Sequence, residues 1–315
     1  METSKLPKVR TIKGLRKYQL KDINLDETIA VNSIYYKIGP YSTGRNFYRY
    51  MDIDIAIKCL KDGTLHFVEP SKWDDNYESR FYTATYDNVL NGKNQKYTCP
   101  RFFATCLTNK SENEPSWVIY SHGKKNAKCV QFSIDRKELR RQIIDYLENH
   151  CADKFKVYEG VVSYLWHGFI DNLDKETVNG ENNELYDLFF NDFSLEKYLN
   201  LMLLKRDAFE HEKETRIMIV PEKQDKDKYD KIDNVSADCY LDIRIDWGKV
   251  IKGVKYDSNC SKSNIKKLKA VVKTLSVSHG NPIKIEPYRI YGEPEHITIG
   301  LKEELLCRRN SVKIS

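Results

Sequence analysis

Two carboxylates two residues apart, Glu212 and Glu214, stand in the stretch KRDAFEHEKETR that runs from Lys205 to Arg216. If this stretch is extended, both side chains leave the same face of a sheet. Like charges so placed repel, so at least one needs a task or a cation. The plainer alternative is a surface pair answered by Lys205, Arg206, Lys213 and Arg216. Arg49 lies between Tyr48 and Tyr50. A planar fork of N–H donors on a strand suits a diphosphate, and the chain has no G-x-G-x-x-G or Walker loop to do that work. An ordinary strand arginine paired with an acid is the alternative. Thr108 closes the apolar run FFATCLT, where its hydroxyl either supports a bound group or bonds its own backbone. Trp117 and Tyr120, three apart, share one helix face and either stack on a flat ligand or pack in the core. Asp75 and Glu78, interleaved with Trp73 and Tyr77, line a pocket mouth or fix a polar turn. Asp75, Glu78, Glu212 and Glu214 together can also gather around Mg²⁺, as a nuclease would require.

The elements that must carry these residues read as α+β. FYRYM is an aromatic strand. Asp52 then caps a helix with Ile53, Ile57 and Leu60 on one face, stopped by Gly63. TLHFV, FFATCLT, CVQFS, VYEGVVSYLW, TRIMIVP, YLDIRI, VIKGVKY and IKIEPYRI read as further strands. Asp135 with Glu138 opens a helix through Leu139, Ile143, Ile144 and Leu147. Ser194 caps another, through Leu195, Leu199, Met202 and Leu203, and Ile265, Leu268, Val271, Val272 and Leu275 mark the last. Strands and helices are interspersed without a regular βαβ series. Residues 1–45 read as a basic leader, 46–295 as one α+β domain with a polar insertion at 171–192, and 296–315 as a tail.

Composition narrows the class. Aromatics at 12% exclude a disordered chain, and no apolar run is long enough to span a bilayer. The basic N-terminal stretch lacks the apolar core of a secretory signal, so the expected location is the cytoplasm. Eight scattered cysteines with no C-x-x-C pair give neither a disulfide framework nor a zinc site. The seven histidines form no H-x-x-x-H, so no metal centre is expected, and no G-x-S-x-G elbow marks a hydrolase. The net charge of +6 is modest, but Lys8–Lys17, Lys124–Lys128 and Lys262–Lys269 are local basic clusters. Such clusters are solvated faces or polyanion contacts.

Several of these segments, in order, resemble the bacterial domain-of-unknown-function 2971 family. FYRYMDIDIAIKCLKDGTLHFVEPSKWDDNYES resembles its opening, with Asp75 and Glu78 kept in a turn that has lost its usual Asn and Pro. FFATCLTN resembles its C-F-S strand through Cys106 and Thr108, and PSWVIYSHG its aromatic stretch through Trp117 and Tyr120. KRDAFEHEKETRIMI resembles K-x-x-x-W-x-x-E-x-E-x-R, with Phe209 in place of Trp, and DWGKVIKGVKY resembles the closing segment.

An early basic strand residue, a middle Ser/Thr strand and a late E-x-E follow the order of Arg-Ser-Glu ADP-ribosyltransferases. By that analogy the fold would be a split pair of small mixed or antiparallel sheets with flanking helices. The analogy implies NAD as substrate, held by Arg49, Tyr50, Trp73, Asp75, Thr108, Trp117 and Tyr120. Glu214 would then face the oxocarbenium-like centre and Glu212 would orient or deprotonate the acceptor. The expectation is a bacterial toxin or phage-defence effector acting on nucleic acid, RNA before DNA, or on protein, with a neutralising antitoxin partner. A metal-dependent nuclease and a non-catalytic sensor or binding module are the rivals.

Overall fold

The computed structural model describes residues 28–39, 44–73, 75–83, 85–88, 95–121, 128–151, 155–165, 194–222 and 240–288. The chain opens with β1 (Thr28–Ala30) and β2 (Tyr35–Ile38), an antiparallel pair. β3 (Asn46–Asp52) leads straight into α1 (Ile53–Asp62). The Asp52 carboxylate accepts the Asp54 N–H, while Gly63 at φ 63° closes the helix by donating to the Cys59 carbonyl. Then come β4 (Thr64–Val68), α2 (Asn76–Thr83), the hairpin β5 (Thr85–Asn88) and β6 (Gln95–Thr98), β7 (Phe103–Thr108) and α3 (Glu114–Ser121). β8 (Cys129–Asp135) runs into α4 (Arg136–His150), where Asp135 accepts from the Glu138 N–H as the capping pattern predicts. β9 (Phe155–Val161), β10 (Ser163–Leu165), α5 (Leu195–Leu201), β11 (Leu204–Arg206) and β12 (Glu214–Pro221) follow. The described chain closes with β13 (Tyr240–Arg244), α6 (Trp247–Val250), β14 (Ile251–Asp257), α7 (Lys262–His279) and β15 (Lys284–Tyr288).

The fold is α+β, built on one mixed sheet of eleven strands in the order β1-β2-β9-β12-β7-β3-β8-β14-β15. The sheet forks at β7. One bridge, Tyr48 opposite Thr108, joins β7 to β3, and another, Val68 opposite Ala104, joins it to β4, which pairs onward with β13. The two small sheets expected are therefore arms of a single forked sheet. Alternation along β7 divides the molecule into layers. Phe103 and Leu107 face a core with Phe47, Phe132 and Ile217, covered by α1, α4 and α7. Ala104 faces the other side with Met218 and Val220, covered by α5 and by Phe81 of α2.

Several expectations change. Residues 28–38, read as leader, belong to the sheet: β2 runs parallel to β9, and buried Tyr35 donates to Glu159 at 2.7 Å. Glu159 is fully buried and takes two bonds from Arg140, at 2.7 and 2.6 Å, which is the pairing a buried carboxylate needs. VYEGVVSYLW is not one strand. After β9 the Val162 N–H donates to the Glu214 carbonyl, and β10 leaves to run parallel to β11. Gly160 makes the crossing there fit: a Cβ would meet Leu203 Cδ1 at 2.3 Å and the Ile38 carbonyl at 2.9 Å. The insertion at 171–192, the tail at 296–315 and the leader before residue 28 lie outside the described residues.

Candidate active site

The E-x-E motif is not extended throughout. Residues Asp207–Glu212 form a 3₁₀ turn, Lys213 takes a left-handed φ of 45°, and only Glu214 begins β12. The two carboxylates still meet, because Lys205 lies between them. Its ammonium contacts Glu212 at 2.6 Å, Glu214 at 3.2 Å and Glu78 at 2.7 Å. Arg216, fully buried, completes the cluster. It bonds Glu214 at 2.7 Å and Glu78 at 2.5 Å, donates to the Met202 carbonyl, and packs its guanidinium 4.4 Å from the Trp73 ring. With every group ionised, three carboxylates face two cations, a net charge of −1.

The two motif glutamates differ in state. Burial opposes ionisation of Glu214, but Arg216 and then Lys205 overcome it and hold the carboxyl down at about 2. Glu212 is raised instead: burial leads, Lys205 opposes it, and the Glu214 and Glu78 charges add to the rise. Its side chain keeps 29% of its exposure, and one oxygen has no partner among the described residues. Glu214 is thus a fixed, saturated charge and Glu212 an open, titrating one.

Beside Glu214 the sheet presents a hollow. Ala104, Cys106 and Thr108 alternate on this face of β7, and their small side chains leave room. Cys106, on a central strand, keeps an exposed surface on this face, and Glu214 and Tyr120 are close enough to act on it; this opening is the hollow. Burial and the neighbouring Glu214 charge push its thiol well up. Tyr120 of α3, 45% exposed, stands at the lip. Its hydroxyl is pushed up to about 12, chiefly by burial, then by the charges of Cys106 and Glu212, with Arg49 opposing. Tyr120 is therefore the residue that both the acids and Arg49 approach.

Arg49 reaches this place differently from the expectation. Glu214 faces Thr108 and Thr108 faces Tyr48, so Arg49 and Glu214 start two strands apart, about 10 Å between backbones. Arg49 follows Tyr48 and leaves its strand on the opposite face, across from Phe132. Its Nη1 then meets the Thr105 hydroxyl at 3.0 Å, at the fork between β3 and β7. Partly buried, it has no carboxylate partner among the described residues.

The remaining candidates divide. Trp117 is fully buried, stacked on Tyr288 at 4.5 Å and edge-on to Tyr50 at 5.3 Å, so no ligand can use its face. Tyr50 is likewise core, with Gln131 donating to its hydroxyl, but Tyr120 stacks on it at 6.2 Å. Thr108 accepts the Lys110 N–H and donates across the sheet to the carbonyl of Lys213, the residue before Glu214, so its hydroxyl is spent on backbone. Trp73 carries Arg216 on its ring, and Asp75 pairs with Arg206 at 2.9 Å; both support the charge cluster. Lys262, Lys266, Lys267 and Lys269 are exposed on α7, on the side of the sheet opposite the hollow. Sequence reading had not picked Cys106 as a site residue. The signal was the small-residue alternation of ATCLT beside a row of aromatics.

No family model matches the chain, and no curated protein matches it. Among solved structures, DarT from Thermus sp. 2.9 in complex with ADP-ribosylated ssDNA is similar at 9% identity and a TM-score of 0.34. That match covers 78% of this chain and 96% of that chain. The complex of the same protein with carba-NAD+ gives 8% identity and a TM-score of 0.33, covering 79% and 98%. Its complex with NAD+ gives 9% and 0.31, covering 79% and 98%. Among the described residues, no helix is long and apolar enough to cross a membrane.

Proposed function

We propose that the protein is an NAD-dependent ADP-ribosyltransferase whose acceptor is single-stranded nucleic acid, in the setting of a bacterial toxin or phage-defence effector. The observation that carries this reading is the exposed ring of Tyr120, which feels the charges of Glu212 and Glu214 on one side and of Arg49 on the other, Arg49 having no carboxylate partner among the described residues. A partly buried arginine without a counter-ion suits a diphosphate. Tyr120, already stacked on Tyr50, offers its exposed face to a flat heterocycle. Glu214, ionised and fixed in place, supplies preorganised negative charge toward a ribosyl cation as the nicotinamide bond breaks. Glu212, raised and half open, is the group suited to take a proton from the acceptor.

The nuclease alternative fares worse on one point. Glu78, Glu212 and Glu214 already spend oxygens on Lys205 and Arg216, which stand where a metal would have to sit.

The test incubates the purified protein with NAD and single-stranded RNA or DNA, reading nicotinamide release and the mass of the oligonucleotide. The expected product is an intact strand heavier by one ADP-ribose. Glu212→Gln should cut transfer by about 100-fold, within the range of general-base removal, with folding retained. No NAD binding by calorimetry and no nicotinamide release would end the proposal.

A further inference from the structure

On the face of the sheet opposite the hollow, α7 carries a row of like charge. Its sequence, KSNIKKLKAVVKTLSVSH, holds five lysines and no acidic residue. Lys262, Lys266, Lys269 and Lys273 stand at i, i+4, i+7 and i+11, which sets them in one file along the helix. At a rise of about 1.5 Å per residue, that file is about 16 Å long. Leu268 and Val272, with Ile265, Val271 and Leu275, hold another side of α7 against the core, and all four lysines of the file are exposed. Lys267 is exposed as well but lies off the file.

Lysines on neighbouring elements are answered by acids: Lys128 by Asp54 at 3.3 Å, Lys249 by Asp246 at 3.2 Å, Lys252 by Asp135 at 3.4 Å and Lys284 by Glu286 at 2.5 Å. No lysine of α7 meets a carboxylate among the described residues; Lys269 has the Tyr256 ring, 5.5 Å from its ammonium. Within the file the charges repel at every step, since Lys262–Lys266 and Lys269–Lys273 are i,i+4 pairs and Lys266–Lys269 is an i,i+3 pair. Lys262 also stands in the first turn, where the helix dipole disfavours a cation, and no acid stands in that turn to offset it. Helix stability does not account for such a row, whereas an anion outside the fold would.

We propose that the lysine file of α7 is a docking surface for the backbone of a single-stranded nucleic acid, held without regard to base. A phosphodiester chain is a linear polyanion with charges at regular intervals, the complement of a linear row of ammoniums. One row suits one backbone, where a duplex presents two. Lysine meets phosphate as a point charge, which positions a strand but reads no sequence. The ring under Lys269, Tyr256, is buried, so it offers bases no stacking platform. An anionic bilayer fits less well, because attachment there adds apolar insertion to charge, and the apolar side of α7 is committed to the core. Docking here needs nothing of the NAD reading, since α7 lies across the sheet from the hollow.

The experiment measures binding of the full chain to a fluorescein-labelled oligothymidylate by anisotropy, without NAD, from about 50 to about 200 mM salt. Lys262→Gln, Lys266→Gln, Lys269→Gln and Lys273→Gln together should lower the slope of log affinity against log salt by about 3, at roughly 0.7 for each phosphate released from a single strand. The melt should not fall, because the side chains removed are exposed and mutually repelling. Lys266→Gln alone should lower the slope by about 0.7, and Lys267→Gln, off the file, by much less. No binding by the unaltered chain, an undiminished slope in the fourfold variant, or equal losses from Lys266→Gln and Lys267→Gln would overturn the assignment. Tighter binding to polyglutamate or to phosphatidylserine vesicles at the same salt would overturn it too, giving the surface to an acidic protein or a bilayer. Nicotinamide release is read separately, so failure here and failure of the NAD reading are told apart.

Discussion

The hollow over Cys106 has two flanks that carry similar residue types in opposite states. On one flank Glu78, Lys205, Glu214 and Arg216 exhaust one another's bonds; on the other, Tyr120 keeps ring surface open, and Arg49, beyond it at the fork, keeps donors open. The saturated flank is costly to assemble, since its charges leave water, and it holds only because each has its partners. The open flank costs little and can bind. Stability and recognition should therefore separate by flank, even though both are built from charged and aromatic residues.

The strongest way to break that contrast is on the saturated side. Arg216→Met leaves Glu214 and Glu78 buried with one cation fewer, and should cost roughly 3–5 kcal/mol in a denaturant titration. A loss below about 1 kcal/mol would mean that the flank is a surface network. Acid provides the next test. Glu214 is held near 2 in the folded chain against 4.5 for the free group, so its stabilisation is present above pH 4.5. It is lost as pH falls from there toward 2. Glu214→Gln should flatten that limb of the stability profile.

On the open side, Arg49→Ala should weaken NAD binding by about 10-fold or more, the worth of a charge-assisted contact, with stability nearly unchanged. Isothermal calorimetry and a melt on the same sample decide it. The smallest effect is at the lip: Tyr120→Phe should keep NAD affinity within about threefold, while Tyr120→Ala should lose a stacking contribution of roughly 1 kcal/mol. Equal losses in both variants would assign the role to the hydroxyl instead of the ring.

Local features were legible in the sequence where local chemistry decides them. Asp52 and Gly63 bound α1 as expected, Asp135 and Ser194 cap their helices, and short apolar, β-rich runs marked β4, β7, β8, β12, β13 and β14. Tyr35–Ile38 was missed because four residues containing a lysine carry little pattern of their own. They are a strand because β9, more than a hundred residues later, supplies the ladder. The E-x-E stretch misled for a similar reason. Lys213 in the left-handed region turns the chain between the acids, and nothing in the local composition demands a positive φ at a lysine. Trp117 and Tyr120 share a helix, but only the ring of Tyr288, far along the chain, decides which of them is covered.

The fork in the sheet has one more consequence. Between the bridge at Ala104 and the bridge at Thr108, positions 105–107 of β7 have neither β3 nor β4 laddered beside them among the described residues. Every second residue of β7 turns its backbone groups to β12, as Asn109 does to the Lys213 carbonyl, so of these three it is Cys106 whose amide and carbonyl face the gap, where no strand is laddered to them among the described residues. Affinity built on them would survive most side-chain substitutions, and would vanish only if the strands themselves closed together.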